Sequence, residues 1–95
     1  MRFIKRSNAF KRSYKLMEKR GKEMEKLHKS IVLLAQDLPL PASYRDHPLT
    51  GDFSGFRDIH IEPDWLLIYS KQNATADYPD GILNLELTGT YADLF

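Results

Sequence analysis

Three residues carry the side chains best suited to moving protons near neutral pH: His47, His60 and Asp64. Cutting an RNA strand without a metal needs a base to take the proton of a 2′-hydroxyl and an acid to protonate the departing 5′-oxygen. It also needs positive charge where the phosphate oxyanions develop. Imidazole can serve any of the three purposes. The same trio is also a donor set for a metal, two histidines and a carboxylate, although its spacing matches no established zinc pattern. The plainest reading is structural, with one histidine in a solvated loop and the other on the polar face of a strand. His28 lies among the lysines of a helix and reads as a surface residue.

Arg45 and Arg57 are the arginines outside the basic N-terminal region. Each can grip a phosphate through its planar fork or pair with a neighbouring carboxylate, such as Asp46 or Asp58. Trp65, by residue type, packs the core, and Gly51 and Gly55 serve the loop around Phe53. No glycine-rich phosphate loop with its lysine is present.

These residues have to be positioned by a small scaffold. Arg2 to Lys5 reads as a short strand, and Ser7 as the N-cap of a helix that runs to Arg20 with Phe10, Tyr14 and Met17 on one face. Gly21 ends that helix. A second helix from about Lys22 to Asp37 aligns Met24, Leu27, Ile31, Leu34, Ala35 and Leu38, so the two form a helical hairpin. Leu38-Pro39-Leu40-Pro41 breaks the helix, and loop is expected until about Phe56. The period then becomes two, with Ile59 and Ile61 on one face and Asp58, His60 and Glu62 on the other. After the Pro63-Asp64 turn, Trp65 to Tyr69 reads as a central strand covered on both faces. Ile82 to Thr88 alternates again, with Leu83, Leu85 and Leu87 in phase. The prediction is an α+β fold, an N-terminal helical hairpin packed on an antiparallel β-sheet.

Ninety-five residues suffice for one domain, taken as 1–95. The chain has no cysteine, which excludes a disulfide scaffold, a thiolate zinc finger and a cysteine nucleophile. No apolar run spans a bilayer or forms a signal peptide, so a soluble, cytoplasmic protein without membrane contact is expected. The net charge of +1 conceals a dipole. Residues 1–30 hold eleven Lys/Arg against three Glu, a net +8, and the remainder hold three against ten, a net −7. The basic part either meets an anionic partner or solvates two helices.

The stretch Tyr44-Arg45-Asp46-His47-Pro48-Leu49, then Gly51, Gly55-Phe56-Arg57-Asp58, His60-Ile61-Glu62-Pro63-Asp64-Trp65 and Leu67-Ile68-Tyr69, resembles the YafQ-like toxins of the RelE/ParE toxin-antitoxin superfamily. The helices and the proline break fit as well, so the resemblance covers essentially the whole chain. It implies a RelE-like fold and a type II toxin, neutralised by a DinJ-like antitoxin, that docks in the ribosomal A site on mRNA and rRNA. The implied activity is that of an endoribonuclease, or mRNA interferase, working by 2′-hydroxyl attack with no metal and no cofactor. Carried over by position, His47, His60 and Asp64 match active-site residues, and Phe95 matches a terminal aromatic that contacts RNA. Arg57 and Trp65 are grouped with Phe95 as expected RNA contacts.

Where that family has an arginine followed by Thr-Gly-Thr-His, this chain has Leu87-Thr88-Gly89-Thr90-Tyr91. Leucine cannot stabilise a phosphorane, and losing such a cation costs on the order of a hundredfold in rate. A phenol titrates near about 10, which is high for a base at neutral pH, but it can stack on a nucleobase or donate a hydrogen bond. Tyr91 therefore joins the catalytic set in a reassigned or weakened role. The alternative is a non-catalytic homologue that keeps antitoxin binding. The connection from Ser70 to Gly81 exceeds the corresponding family turn.

Overall fold

In a computed structural model that describes residues 1–95, the chain forms five strands and three α-helices. They are β1 (Phe3–Arg6), α1 (Asn8–Lys19), α2 (Met24–Ala35), β2 (His47–Pro48), β3 (Arg57–Glu62), β4 (Trp65–Gln72), β5 (Ile82–Gly89) and α3 (Tyr91–Leu94). Single 3-10 turns at Ala42–Tyr44 and Gly51–Phe53 flank β2. The sheet order is β1-β5-β4-β3-β2.

Local chemistry sets the helix ends as the sequence suggests. The Ser7 hydroxyl accepts from the amide of Phe10 at 2.9 Å, satisfying a donor that has no partner within the helix. At the other end, the Gly21 amide bonds the Glu18 carbonyl and the Lys22 amide bonds that of Met17. This closure requires the left-handed backbone that Gly21 adopts at φ 78°. Phe10 and Met17 of α1, with Leu27, Leu34 and Ala35 of α2, then bury against Ile59, Trp65, Leu67, Tyr69, Leu83 and Leu85 of the sheet.

The structure corrects the expected topology in three ways. First, β2 to β5 are antiparallel, but β1 lies parallel to β5, with Phe3 opposite Ile82 and Arg6 opposite Leu85, so the sheet is mixed. A parallel neighbour needs a long crossover, so no turn signal marks it. Second, the presumed loop before Phe56 contains β2, which pairs His47 with Asp58 and Pro48 with Arg57.

The third correction concerns faces. Between His60 and Glu62 the β3–β4 register shifts, and the extra residue lets Ile61 and Glu62 both serve the helical side. Glu62 leaves the His60 face and binds Lys26 at 2.9 Å on α2. A second bulge lies in β5, where Ile68 pairs with Leu87 but Tyr69 pairs with Leu85, leaving Glu86 as the extra residue. Leu87 is thereby turned away from Leu83 and Leu85, and the three do not form one apolar face. The bulged backbone is anchored by α1. The Ser7 hydroxyl donates to the Glu86 carbonyl at 2.7 Å, and the Ser13 hydroxyl accepts from the Thr88 amide at 3.2 Å.

Candidate active site

The face of the sheet opposite the helices carries Asp58 and His60 from β3, Leu66 and Ile68 from β4, and Leu87 from β5. Cross-strand partners project to the same side, so the pairing of His47 with Asp58 brings a loop histidine onto this face. His47 and His60 end with ring centroids 6.3 Å apart. The juxtaposition expected from the sequence therefore exists, and a two-residue strand produces it.

Between the histidines lies Asp58, a residue that sequence reasoning offered only as a partner for an arginine. It is 2% exposed, because β3 is covered on the face expected to be polar. Its Oδ1 is 3.0 Å from His47 Nδ1 and yet has no hydrogen-bond partner. The His47 N–H points instead at the Arg45 carbonyl, 2.7 Å away. Burial pushes the Asp58 carboxyl above the usual range, with positive charge on His47 and His60 pulling the other way. His60 is also largely buried, with Nδ1 3.3 Å from the Pro63 carbonyl and Nε2 3.4 Å from the Tyr91 hydroxyl.

The chain end completes the site. Thr90 and Asp93 form a reciprocal capping box that starts α3, and Arg20 at the end of α1 grips Asp93 with contacts of 2.6 and 3.0 Å. Asp64 does not touch a histidine hydrogen. Its Oδ1 accepts from the Tyr91 amide at 3.2 Å, a carboxylate at a helix N-terminus that fixes where the phenol stands. From there the rings continue outward. Tyr91 lies 6.0 Å from His60 and 6.0 Å from Phe95, and Phe95 meets Phe53 edge-on at 5.7 Å. Tyr91 and Phe95 are exposed.

Two of the expected RNA contacts are misplaced. Trp65 is 0% exposed, on the helical side, with its N–H donated to Thr88 Oγ1 at 2.9 Å, so the indole cannot meet RNA. Arg57 pairs with Tyr69 across the sheet and therefore projects to that same side, where its Nε donates to Asp46 at 3.1 Å. Asp46 also accepts from the Tyr69 hydroxyl at 2.6 Å, which, after burial itself, holds that phenol well above its ordinary range.

Two imidazoles over a buried carboxylate, with a phenol and an aromatic lip at the chain end, suit a flexible single strand better than a duplex. The family model for the bacterial toxin of type II toxin-antitoxin systems, YafQ, matches residues 2–95. The chain belongs to the YafQ family. It is similar to the mRNA interferase toxin YafQ of Escherichia coli K12, 46% identical over 95 residues that make up 99% of this chain and 96% of that one. The YafQ chain of the E. coli DinJ-YafQ complex superposes with a TM-score of 0.83 at 47% identity, covering 100% of this chain and 99% of the other. A metal-bound toxin from Helicobacter pylori superposes with a TM-score of 0.85 at 34% identity, each chain covered in full. YafQ membership fits a fold with helices on one face of the sheet and the polar site on the other.

Proposed function

We propose that this type II toxin cleaves mRNA as an endoribonuclease, with His47 and His60 as the proton-transfer pair. The supporting observation is that both imidazoles face one side of the sheet and each directs Nδ1 at a backbone carbonyl. An N–H bonded to a carbonyl fixes the tautomer, leaving the Nε2 lone pair of each neutral ring available. His47, the exposed partner, takes the 2′-hydroxyl proton as the hydroxyl oxygen attacks the adjacent phosphorus. His60 in its protonated form delivers a proton to the departing 5′-oxygen. The products are a 2′,3′-cyclic phosphate and a 5′-hydroxyl end. Asp58 lies beneath as the counter-charge for the imidazolium. Tyr91, beside His60 Nε2, accepts from the protonated His60 or donates a hydrogen bond to the phosphate, and Asp64 positions it. Phe95, supported by Phe53, stacks on a base.

The partners follow the family. A DinJ-like antitoxin neutralises the chain, and the ribosome presents the message, with the basic N-terminal region on rRNA phosphates. A cytoplasmic site of action follows, and no helix is long and apolar enough to cross a membrane. A metal of the kind the H. pylori toxin holds would meet His47, Asp58 and His60 here, and the cleavage described needs none.

The deciding experiment induces the chain in bacteria, with and without its antitoxin, and maps message ends. Growth arrest with new 5′-hydroxyl ends, abolished in His60→Ala, is the expected result. Arrest without cleavage would favour a non-catalytic toxin that still binds its partners.

A further inference from the structure

We propose that Arg45 and Lys29 bind a phosphodiester of the RNA strand next to the one that is cut, in a groove that opens beside His60. The groove has a volume of about 540 Å³ and is walled by Lys26 and Lys29 from α2, Arg45 from the turn before β2, and His60 and Glu62 from β3. Three cations thus face a single carboxylate. Glu62 is already taken, by Lys26 at 2.9 Å and Lys22 at 3.4 Å. Lys29 and Arg45 are exposed and enter no ion pair.

The backbone at Arg45 is unusual. Its φ is 49°, in the left-handed region that side chains other than asparagine and aspartate rarely enter. Glycine would close the 3-10 turn at Ala42–Tyr44 more easily. Tyr44 packs against the core on one side, and on the other the Arg45 carbonyl holds His47 Nδ1 at 2.7 Å. One residue therefore orients an imidazole and carries a free guanidinium. Of the two arginines outside the basic N-terminal region, Arg57 is committed to Asp46, and Arg45 keeps its fork open for an oxyanion.

The groove is continuous with the site already described. His60 Nε2 faces the Tyr91 hydroxyl, while its Nδ1 lies at the carbonyl of Pro63, which also lines the groove. The aromatic lip and the groove therefore flank the same imidazole. Proteins that hold single strands pair aromatic platforms for the bases with a cationic groove that tracks the backbone. A strand that leaves the lip and lies over the histidines brings its neighbouring phosphate to Arg45 and Lys29. The identity of that strand rests on the endoribonuclease reading, whereas the open cation pair stands on geometry alone.

The test uses the full chain with Arg45→Gln, Arg45→Lys and Lys29→Gln, all at exposed positions. The first readout is affinity, over a range of salt, for a short single-stranded RNA methylated at every 2′-oxygen, which cannot be cut. Arg45→Gln and Lys29→Gln should each weaken binding by about threefold to tenfold. Each should also flatten the dependence of log affinity on log salt by about 0.7, the share of one single-strand phosphate contact. Arg45→Lys, which keeps the charge, should retain most of that slope. The His47 imidazole resonances should stay in place, since the Arg45 carbonyl is retained. The second readout is single-turnover cleavage on ribosomes whose message carries one uncharged methylphosphonate linkage beside the cleavage point, on each side in turn. On one side the neutral linkage should slow the unsubstituted chain by the same factor as Arg45→Gln, and the variant should lose nothing further. Unchanged affinity and slope in both glutamine variants overturn the proposal. A variant that still falls below the unsubstituted chain on both neutral messages has its cation on ribosomal RNA, which also overturns it. A chain that cuts no message refutes the endoribonuclease reading, and the salt dependence still decides whether the groove holds an RNA phosphate.

Discussion

The hydroxyl of Tyr91 stands 3.4 Å from Nε2 of His60, placing the residue that replaces the family histidine against the buried imidazole of the site. If the phenol takes part in proton transfer or binds the phosphate, Tyr91→Phe should lower the single-turnover cleavage rate by about tenfold to a hundredfold. The ring is 46% exposed, so the melting temperature should scarcely change. An unaltered rate would reduce Tyr91 to a stacking surface.

Leu87 occupies the site face rather than the core face, since the bulge at Glu86 turns it there. Leu87→Arg should therefore place a guanidinium near the scissile phosphate and raise the cleavage rate by up to about a hundredfold, the usual worth of a charge aimed at a developing oxyanion. The comparison is one of rates on the same message at saturating enzyme. A variant that folds and cleaves no faster would show that the phosphate does not approach β5.

Trp65 belongs to stability. Trp65→Ala should cost about 3–5 kcal/mol in urea unfolding, from the lost packing of a large buried ring. Trp65→Phe should cost less, although it leaves Thr88 Oγ1 without its indole donor, a loss of about 1 kcal/mol. Neither should change the Michaelis constant for RNA in the folded fraction. A specific rise in that constant would return the indole to the RNA interface.

Arg20 and Asp93 hold α3 to the rest of the protein. The Arg20 guanidinium, with the Thr90 backbone amide, keeps the Asp93 carboxyl well below the usual carboxylate range. A carboxylate depressed on folding contributes its stabilisation above the ordinary value near about 4 and loses it as pH falls below that value. The Thr90 and Asp93 amide resonances should thus stay native at neutral pH and shift only in strong acid. Arg20→Gln should move the onset upward toward the ordinary carboxylate value and lower cleavage several-fold, because Tyr91 and Phe95 are carried on that helix. Coincident profiles for the two proteins would make the ion pair irrelevant to α3.

The helices were readable because their determinants are local. Ser7, Gly21 and the i, i+3, i+4 spacing of Phe10, Met17, Leu27 and Leu34 need no distant partner, and the structure holds each as expected. The site was readable as residue types, and its geometry was not. Asp58 looks like a solvent-facing strand residue until β2 pairs beside it, and its place between two histidines depends on the pairing of His47 with Asp58. Arg57 and Trp65 stand inside the matched stretch, yet strand alternation sends both to the helical side. Bulges defeat counting by two, so the roles of Glu62 and Leu87 were misassigned from Ile61 and Leu85 onward.

The extra residue at Glu86 has an evolutionary corollary. The side that position 87 faces is set by its pairing with Ile68, and the extra residue lets Leu85 and Leu87, two apart in sequence, face opposite sides of the sheet. Deleting Glu86 would remove the extra residue and make the ladder regular, with Leu87 still opposite Ile68 on the site face and Thr88 still opposite Leu67 beside the Trp65 indole. A lineage could thus lose that codon and keep Leu87 on the wall of the site, so the residue shown there changes by substitution and not by the length of β5 at this point.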